Sequence, residues 1–94
     1  MMSQIPLDLD KLDKTIIDKE ILRVGIIAEL DAVNLYEQLA AKAQDKNIKS
    51  MLLDIAKEEK THVGEFQALL LNRDKQQLEE LDEGKKEVKE EVGE

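Results

Sequence analysis

The sequence contains no cysteine, one proline, four glycines and two aromatic residues, Tyr36 and Phe66, among its 94 residues. Without cysteine the chain cannot form a disulfide framework or a thiolate-ligated zinc site. The scarcity of proline, glycine and aromatic residues favours an all-α fold. No apolar run approaches the roughly 18 residues that a membrane-spanning helix needs, and no charged-then-apolar leader opens the chain. We therefore expect a soluble, cytoplasmic protein with no membrane partner.

The chain is acidic, with 22 Asp and Glu residues against 14 Lys and Arg residues and a formal net charge of −8. Because phosphate backbones repel acidic surfaces, this charge argues against a nucleic-acid partner. It favours the collection of cations, although it also serves solubility alone. A chain of 94 residues, 38% of them charged, cannot close a large core by itself. We therefore expect it to associate with further chains.

Apolar residues recur at helical spacing over a first long segment. This periodicity predicts a helix from about 9 to 43, after an extended lead-in over residues 1–7 that contains Pro6. The helix can be capped by Asp8 or Asp10, or it can begin later with a capping box at Thr15.

A polar break at 44–47 is short enough to force an antiparallel hairpin with a second helix over about 46–73. Asp74 can cap a third helix that continues to about residue 91. Gly84 interrupts this helix and residues 83–94 are mostly charged, so we expect its end to be a solvated tail or linker.

These segments predict an all-α fold in which residues 1–75 form the antiparallel two-helix hairpin. Residues 76–94 form a C-terminal helix with a charged tail or linker. The first helix carries a second apolar flank, which again indicates burial against several chains. This second flank consists of Ile17, Ile21, Val24, Ala28 and Leu35.

Two apolar stripes are interrupted by polar residues. On the second helix, Glu59 and His62, the only histidine of the chain, lie on a stripe that includes Leu52, Ile55, Val63, Phe66, Leu69 and Leu70. On the first helix, Glu29 interrupts a stripe of Leu22, Ile26, Val33, Tyr36, Leu39, Ala40 and Ala43. A buried carboxylate is costly unless a positive charge matches it, and the stripe on the second helix has no Lys or Arg before Arg73. A bound cation is the simplest way to satisfy these groups.

The three residues make half of a dinuclear metal site. Glu59 and His62 lie one turn apart on one face, and Glu29 can reach them across the hairpin. Di-iron carboxylate bundles use two single Glu residues and two Glu-x-x-His pairs on four helices, so a two-fold axis past this cluster would complete the set. Carboxylate and imidazole ligands suit iron(II) or manganese. The structural alternative for His62 is a neutral core histidine that hydrogen-bonds to Glu59.

Tyr36 is a further candidate catalytic residue, and three carboxylates are secondary candidates for metal binding. Tyr36, two turns after Glu29, can hydrogen-bond near the metals or pass electrons, or it can be an ordinary core aromatic. Asp31, Glu58 and Glu65 lie beside the stripe, where we expect solvated carboxylates, with Glu65 as the reserve ligand. Relay of metal ions inward is the functional alternative for these carboxylates.

The segments 28–36, AELDAVNLY, and 58–62, EEKTH, together resemble the encapsulated ferritins, half-length relatives in the ferritin and rubrerythrin superfamily. The resemblance covers roughly residues 10–75. It implies that two chains form a ferroxidase centre at their interface and that dimers assemble into a ring, typically a decamer. It also implies oxidation of iron(II) inside an encapsulin shell, where the mineral is stored. By this resemblance Glu29 is the bridging ligand, Glu59 and His62 are terminal ligands, and Tyr36 is a neighbour.

The chain departs from the family pattern in two places. Family members often carry acidic residues outside the centre that help iron to arrive; Asp31 matches one, but Ala28 does not match another. Members that are carried as cargo usually end in a small, apolar docking peptide, whereas residues 87–94 are highly charged. Because some archaeal members are fused to the shell protein, this end suits a linker, and the shell can be fused or separate.

We therefore expect a ferroxidase that oxidises iron(II) with dioxygen or peroxide at a di-iron site between subunits. One alternative is a rubrerythrin-like peroxide reductase, which needs an electron donor; without cysteine the chain has no built-in rubredoxin-type centre. The other is a metal-free structural adaptor, against which the apolar surroundings of Glu29 argue.

Overall fold

The computed structural model describes residues 14–94, with side chains from Ile16 onward, and these residues form three α-helices and no strand. The helices are α1 (Lys14–Lys42), α2 (Lys46–Leu71) and α3 (Lys75–Val92). The predicted all-α fold is thereby confirmed. The lead-in, the caps at Asp8 and Asp10 and the expected helix start near 9 lie outside the described residues. A start at Thr15 is wrong, because the helix already includes Lys14.

The connection between α1 and α2 is as short as the polar break predicts. Asp45 caps α2: its carboxylate accepts hydrogen bonds from the backbone N–H groups of Asn47 and Ile48, at 2.8 and 3.0 Å. These bonds satisfy two of the donors that a helix start leaves without partners. The two helices then pack along each other as the predicted antiparallel hairpin.

The buried core of the hairpin is thin. It consists of Leu22, Val33 and Ala40 on α1 and of Ala56 and Leu70 on α2. Many other large apolar side chains remain exposed on the outer faces of the two helices, among them Ile21, Leu35, Met51 and Leu69. Ile21 and Leu35 belong to the second flank, whose other members, Ile17, Val24 and Ala28, are half-buried. The hairpin is thus a two-helix layer with apolar surface left uncovered within the described chain.

α2 ends at Leu71, two residues before the predicted end near 73. The backbone N–H groups of Arg73 and Asp74 both donate to the Leu70 carbonyl at 2.9 Å, so the chain turns there. The Arg73 guanidinium donates to the Leu69 carbonyl at 2.9 Å, which satisfies another terminal carbonyl.

Asp74 joins the start of α3 to the hairpin. As predicted, it caps α3, accepting a hydrogen bond from the Gln77 N–H at 3.0 Å. Its other oxygen accepts a hydrogen bond from the Arg23 guanidinium of α1 at 2.7 Å. The backbone bond from Gln77, together with Arg23 and the nearby Lys19, holds the pKa of Asp74 below its ordinary value. The sequence predicted the cap but not the ion pair.

α3 continues without interruption through Gly84 to Val92. The expected interruption at Gly84 is therefore wrong, whereas the helix ends within one residue of the predicted end near 91, and residues 83–92 are a solvated helix. Glu and Lys are good helix formers, and their helix propensity summed over this segment offsets the cost of one glycine. The helix ends at Gly93, which adopts a left-handed φ of 80° and donates its N–H to the Lys89 carbonyl.

Among the described helices, none combines the length and the apolar character needed to cross a lipid bilayer.

Candidate metal centre

The hairpin brings together the three residues that interrupt the apolar stripes. Glu29 comes from the middle of α1, and Glu59 and His62 come from adjacent turns of α2 on the side that faces α1. One ligand atom from each residue lies within 4.8 Å of the others. Residues three apart on a helix share a face, and the antiparallel packing places Glu29 opposite that face. The geometry of the predicted ligand set is thus present within one chain.

His62 lies between the two carboxylates. Its Nδ1 atom is 3.3 Å from Glu29 Oε2 and 3.4 Å from Glu59 Oε2. The hydrogen bond is with Glu29. The structural alternative for His62 was a neutral core histidine with a hydrogen bond to Glu59; the hydrogen bond is instead with Glu29 from across the hairpin, and Glu59 lies 0.1 Å farther away.

Among the described residues, no side chain besides His62 balances the charge of the cluster. One imidazolium can offset only one of the two carboxylates, so the cluster stays negative whichever form His62 adopts. Within residues 16–94, no Lys or Arg forms an ion pair with Glu29 or Glu59. Two carboxylate oxygens and one imidazole nitrogen suit iron(II) or manganese(II). The donor set therefore fits a divalent metal ion.

The cluster is more open on the side of His62. The side chains of Glu29 and Glu59 are 21% and 20% exposed, whereas that of His62 is 44% exposed. Met51 and Leu69 precede and follow His62 by eleven and seven residues, so they lie on the same side of α2. Both are exposed. The open side of the cluster therefore continues into an apolar surface.

Tyr36 and the three secondary candidates lie outside this cluster. Tyr36 is half-buried and lines a groove along α1 that also includes Ala28 and Asp31. Within the described residues its hydroxyl makes no hydrogen bond. Glu58 and Glu65 are exposed, as expected of solvated carboxylates. Asp31, by contrast, is buried, so the expectation that it is solvated is wrong.

One contact beside the cluster involves Gly25, which the sequence did not mark as a candidate site residue. A side chain on Gly25 would meet the ring of Phe66. Gly25 is one turn before Glu29 and Phe66 is one turn after His62. Its position could have predicted this contact, because a glycine one turn from a ligand, on the same stripe, permits a close approach between helices.

The chain is similar to known proteins over most of its length. Residues 20–93 match the family described as Rubrerythrin. A ferritin-like–encapsulin shell fusion protein of Pyrococcus furiosus is 62% identical over 74 residues, which make up 79% of this chain and 21% of that protein. The chain thus spans about one fifth of the length of the curated relative that it matches.

A solved structure agrees over the whole chain. The crystal structure of the encapsulated ferritin domain from Pyrococcus furiosus superimposes with a TM-score of 0.86 at 52% sequence identity. The match covers 100% of this chain and 98% of that one. The resemblance to encapsulated ferritins is therefore confirmed, and the chain belongs to the rubrerythrin family, with a ferritin-like fold.

Proposed function

We propose that the protein is a ferroxidase that binds iron(II) as its substrate through Glu29, Glu59 and His62 and oxidises it to iron(III). The observation that carries this proposal is the convergence of two carboxylates and one imidazole within 4.8 Å, with no Lys or Arg paired to them in the part of the chain that the structure describes. Such a cluster is costly in the apo protein and is stabilised when a divalent cation binds.

The complete site is shared by two copies of the chain. One copy supplies half of the ligands found in di-iron carboxylate bundles, and the cluster is open on the side of His62. A two-fold axis on that side adds a second set and makes a four-helix arrangement with four carboxylates and two imidazoles. Two divalent ions then balance four negative charges. The exposed Met51 and Leu69 would be covered by the same contact.

Each ligand has a distinct role in this proposal. By the resemblance to encapsulated ferritins, Glu29, from the facing helix, would bridge two ions, and Glu59 and His62 would be terminal ligands. Because His62 turns Nδ1 toward the carboxylates, metal binding requires its lone pair at Nδ1 and its proton at Nε2. Bound iron(II) supplies the electrons, and dioxygen or peroxide accepts them. Tyr36 is a neighbour, and Asp31, Glu58 and Glu65 are secondary positions for arriving iron.

The proposed assembly is a ring of dimers, typically a decamer, joined through the second flank of α1. We further propose that the ring works inside an encapsulin compartment in the cytoplasm, where the ferric mineral is stored. The name of the Pyrococcus furiosus relative, a fusion with an encapsulin shell, supports this association. The exposed, charged α3 suits a connection to a shell, either fused or separate. The division into residues 1–75 and 76–94 remains part of this proposal.

Two other functions fit less well. A rubrerythrin-like peroxide reductase requires an electron donor, and these 94 residues contain no cysteine for a rubredoxin-type centre. A metal-free helical adaptor gives no reason for two carboxylates to share one imidazole on a half-buried face.

The first prediction tests the ligands directly. Glu29→Ala, Glu59→Ala and His62→Ala should each lower the rate of iron(II) oxidation by about 10²-fold or more, because each removes a metal ligand. Stopped-flow absorbance of the ferric product is the measurement. Glu83→Ala, which removes an exposed carboxylate of α3, is the matched control and should oxidise iron(II) like wild type. Unimpaired oxidation by His62→Ala would contradict the assignment.

A further inference from the structure

The closest approach of α1 and α2 at a glycine lies next to the metal cluster. A Cβ built on Gly25 would lie 3.2 Å from Cδ2, Cε2 and Cζ of Phe66. Ordinary contacts between carbon atoms are about 3.5–4.0 Å. Because three consecutive ring atoms lie at the same distance, the Cβ position lies over the face of the ring. Phe66 thus occupies the space that a side chain at position 25 would need.

This contact is adjacent to the ligands on both helices. Gly25 precedes Glu29 by four residues, and Phe66 follows His62 by four residues, so each is one turn from its ligand. In an antiparallel hairpin these two turns face each other. The distance between packed helices depends on the side chains at their contact. The ring of Phe66 against Gly25 therefore governs the separation at which Glu29 Oε2 faces His62 Nδ1, here 3.3 Å.

We propose that Gly25 and Phe66 are a positioning pair that sets the spacing between the ligands of α1 and those of α2. The inference rests on the proposed function, since it takes Glu29, Glu59 and His62 to bind metal. Neither residue contacts the metal in this proposal. They act through the separation of the two helices.

The other helical glycines show that this contact is specific to position 25. A Cβ at Gly64 or at Gly84 would have no neighbour within 4 Å. Alanine at those positions improves helix propensity and displaces nothing. Alanine at position 25 improves propensity equally, but it must move the ring or the helix by a few tenths of an ångström. Because metal–ligand distances are defined to within about 0.2 Å, such a shift weakens binding.

The test measures metal binding rather than activity. Cobalt(II) is the probe, titrated anaerobically into the full-length protein and followed by its ligand-field absorption. We expect Gly25→Ala to weaken cobalt(II) binding about fivefold or more, and Gly64→Ala, the matched control on α2, to bind like wild type. The double variant Gly25→Ala/Phe66→Leu, in which the smaller side chain makes room for the added methyl group, should recover most of the affinity. Phe66→Leu alone, which adds no atom and leaves a gap, should also bind more weakly than wild type.

The outcomes distinguish the positioning role of Gly25 and Phe66 from metal binding by the cluster itself. Circular dichroism in chelator establishes that each variant is folded. Wild-type affinity in Gly25→Ala would overturn the positioning role, and so would a double variant that binds no better than Gly25→Ala. If Gly25→Ala does not fold, unchanged cobalt(II) binding by Phe66→Leu would overturn the positioning role instead. His62→Ala tests the proposed function separately: undiminished cobalt(II) binding there would remove the metal site, and the positioning role with it. Weak binding in His62→Ala with wild-type binding in Gly25→Ala would leave the site intact and remove only the pair.

Discussion

Glu59 shares one imidazole with Glu29, and both carboxylates keep only about a fifth of their side-chain surface in contact with water. Each carboxylate has therefore lost much of its hydration without gaining a full positive charge in return. Residues arranged in this way reduce the stability of the apo protein. In the proposed function a bound metal ion offsets this cost, as is common at sites where local stability and function compete.

The second prediction concerns the stability of the apo protein. Glu59→Gln keeps the shape of the side chain but removes one negative charge from the cluster. In the presence of chelator we expect it to raise the free energy of unfolding by up to about 1 kcal/mol, which is roughly 4–8 °C in Tm for a domain of this size. Differential scanning calorimetry measures the change. Glu83→Gln is the control, since its side chain is exposed and its charge has no such neighbours.

At the scale of the elements, α3 is held to the hairpin through a small number of contacts near its start. Asp74 contributes two of them, the cap on Gln77 and the ion pair with Arg23. Leu81 and Gln77 of α3 line a cleft of about 320 Å³ with Arg23, Ile27 and Leu71 of the hairpin. From Leu78 to Val92 every residue of α3 except Gly84 is exposed. The direction of this helix therefore depends on the corner at Asp74.

The third prediction tests that corner. Asp74→Asn keeps a good capping residue but removes the charge that Arg23 contacts, so α3 should be held less firmly. Hydrogen exchange of the α3 amides should be faster than in wild type at neutral pH. Asp82→Asn, an exposed change within α3, is the control.

The pH dependence of this effect follows from the lowered pKa of Asp74. A carboxyl group whose folded pKa lies below its unfolded value contributes stability above the unfolded pKa, near pH 4. That contribution is lost as the pH falls through the folded pKa. The difference between wild type and Asp74→Asn should therefore be full at neutral pH and disappear in acid. A difference that grows on acidification would contradict the assignment.

For the whole molecule, the thin core and the exposed apolar residues favour association. The fourth prediction is that a divalent metal shifts the protein toward larger species, because ligands at a shared site stabilise the dimer. Size-exclusion chromatography with light scattering, with anaerobic iron(II) and with chelator, measures the change. His62→Ala should not respond to metal. A monomer that binds two iron ions by itself would contradict the shared site.

The fifth prediction concerns storage. In the proposed assembly, a chain with one hairpin and one exposed helix is expected to build an open ring with little interior rather than a closed cage. The isolated protein should therefore oxidise iron(II) and then lose ferric oxide as a precipitate, keeping only a few irons per chain. Gel filtration of the loaded protein followed by metal analysis is the test. Soluble protein that carries on the order of hundreds of irons per assembly would show that the chain forms its own cage.

The sequence by itself determined the three helices, the hairpin and the three residues of the cluster. These follow from local rules: helical periodicity marks Glu29, Glu59 and His62 as polar residues in apolar stripes, and Asp45 and Asp74 cap the helices that follow them. The tertiary structure decided which groups meet across the helices. The hydrogen bond of His62 to Glu29, the ion pair of Arg23 with Asp74 and the contact of Phe66 with Gly25 each join distant residues. Such contacts depend on how far apart and at what rotation two helices pack, which side-chain periodicity on either helix does not specify. The burial of Asp31 was not predicted for the same reason. Its position on α1 indicates the direction of its side chain but not which groups cover it.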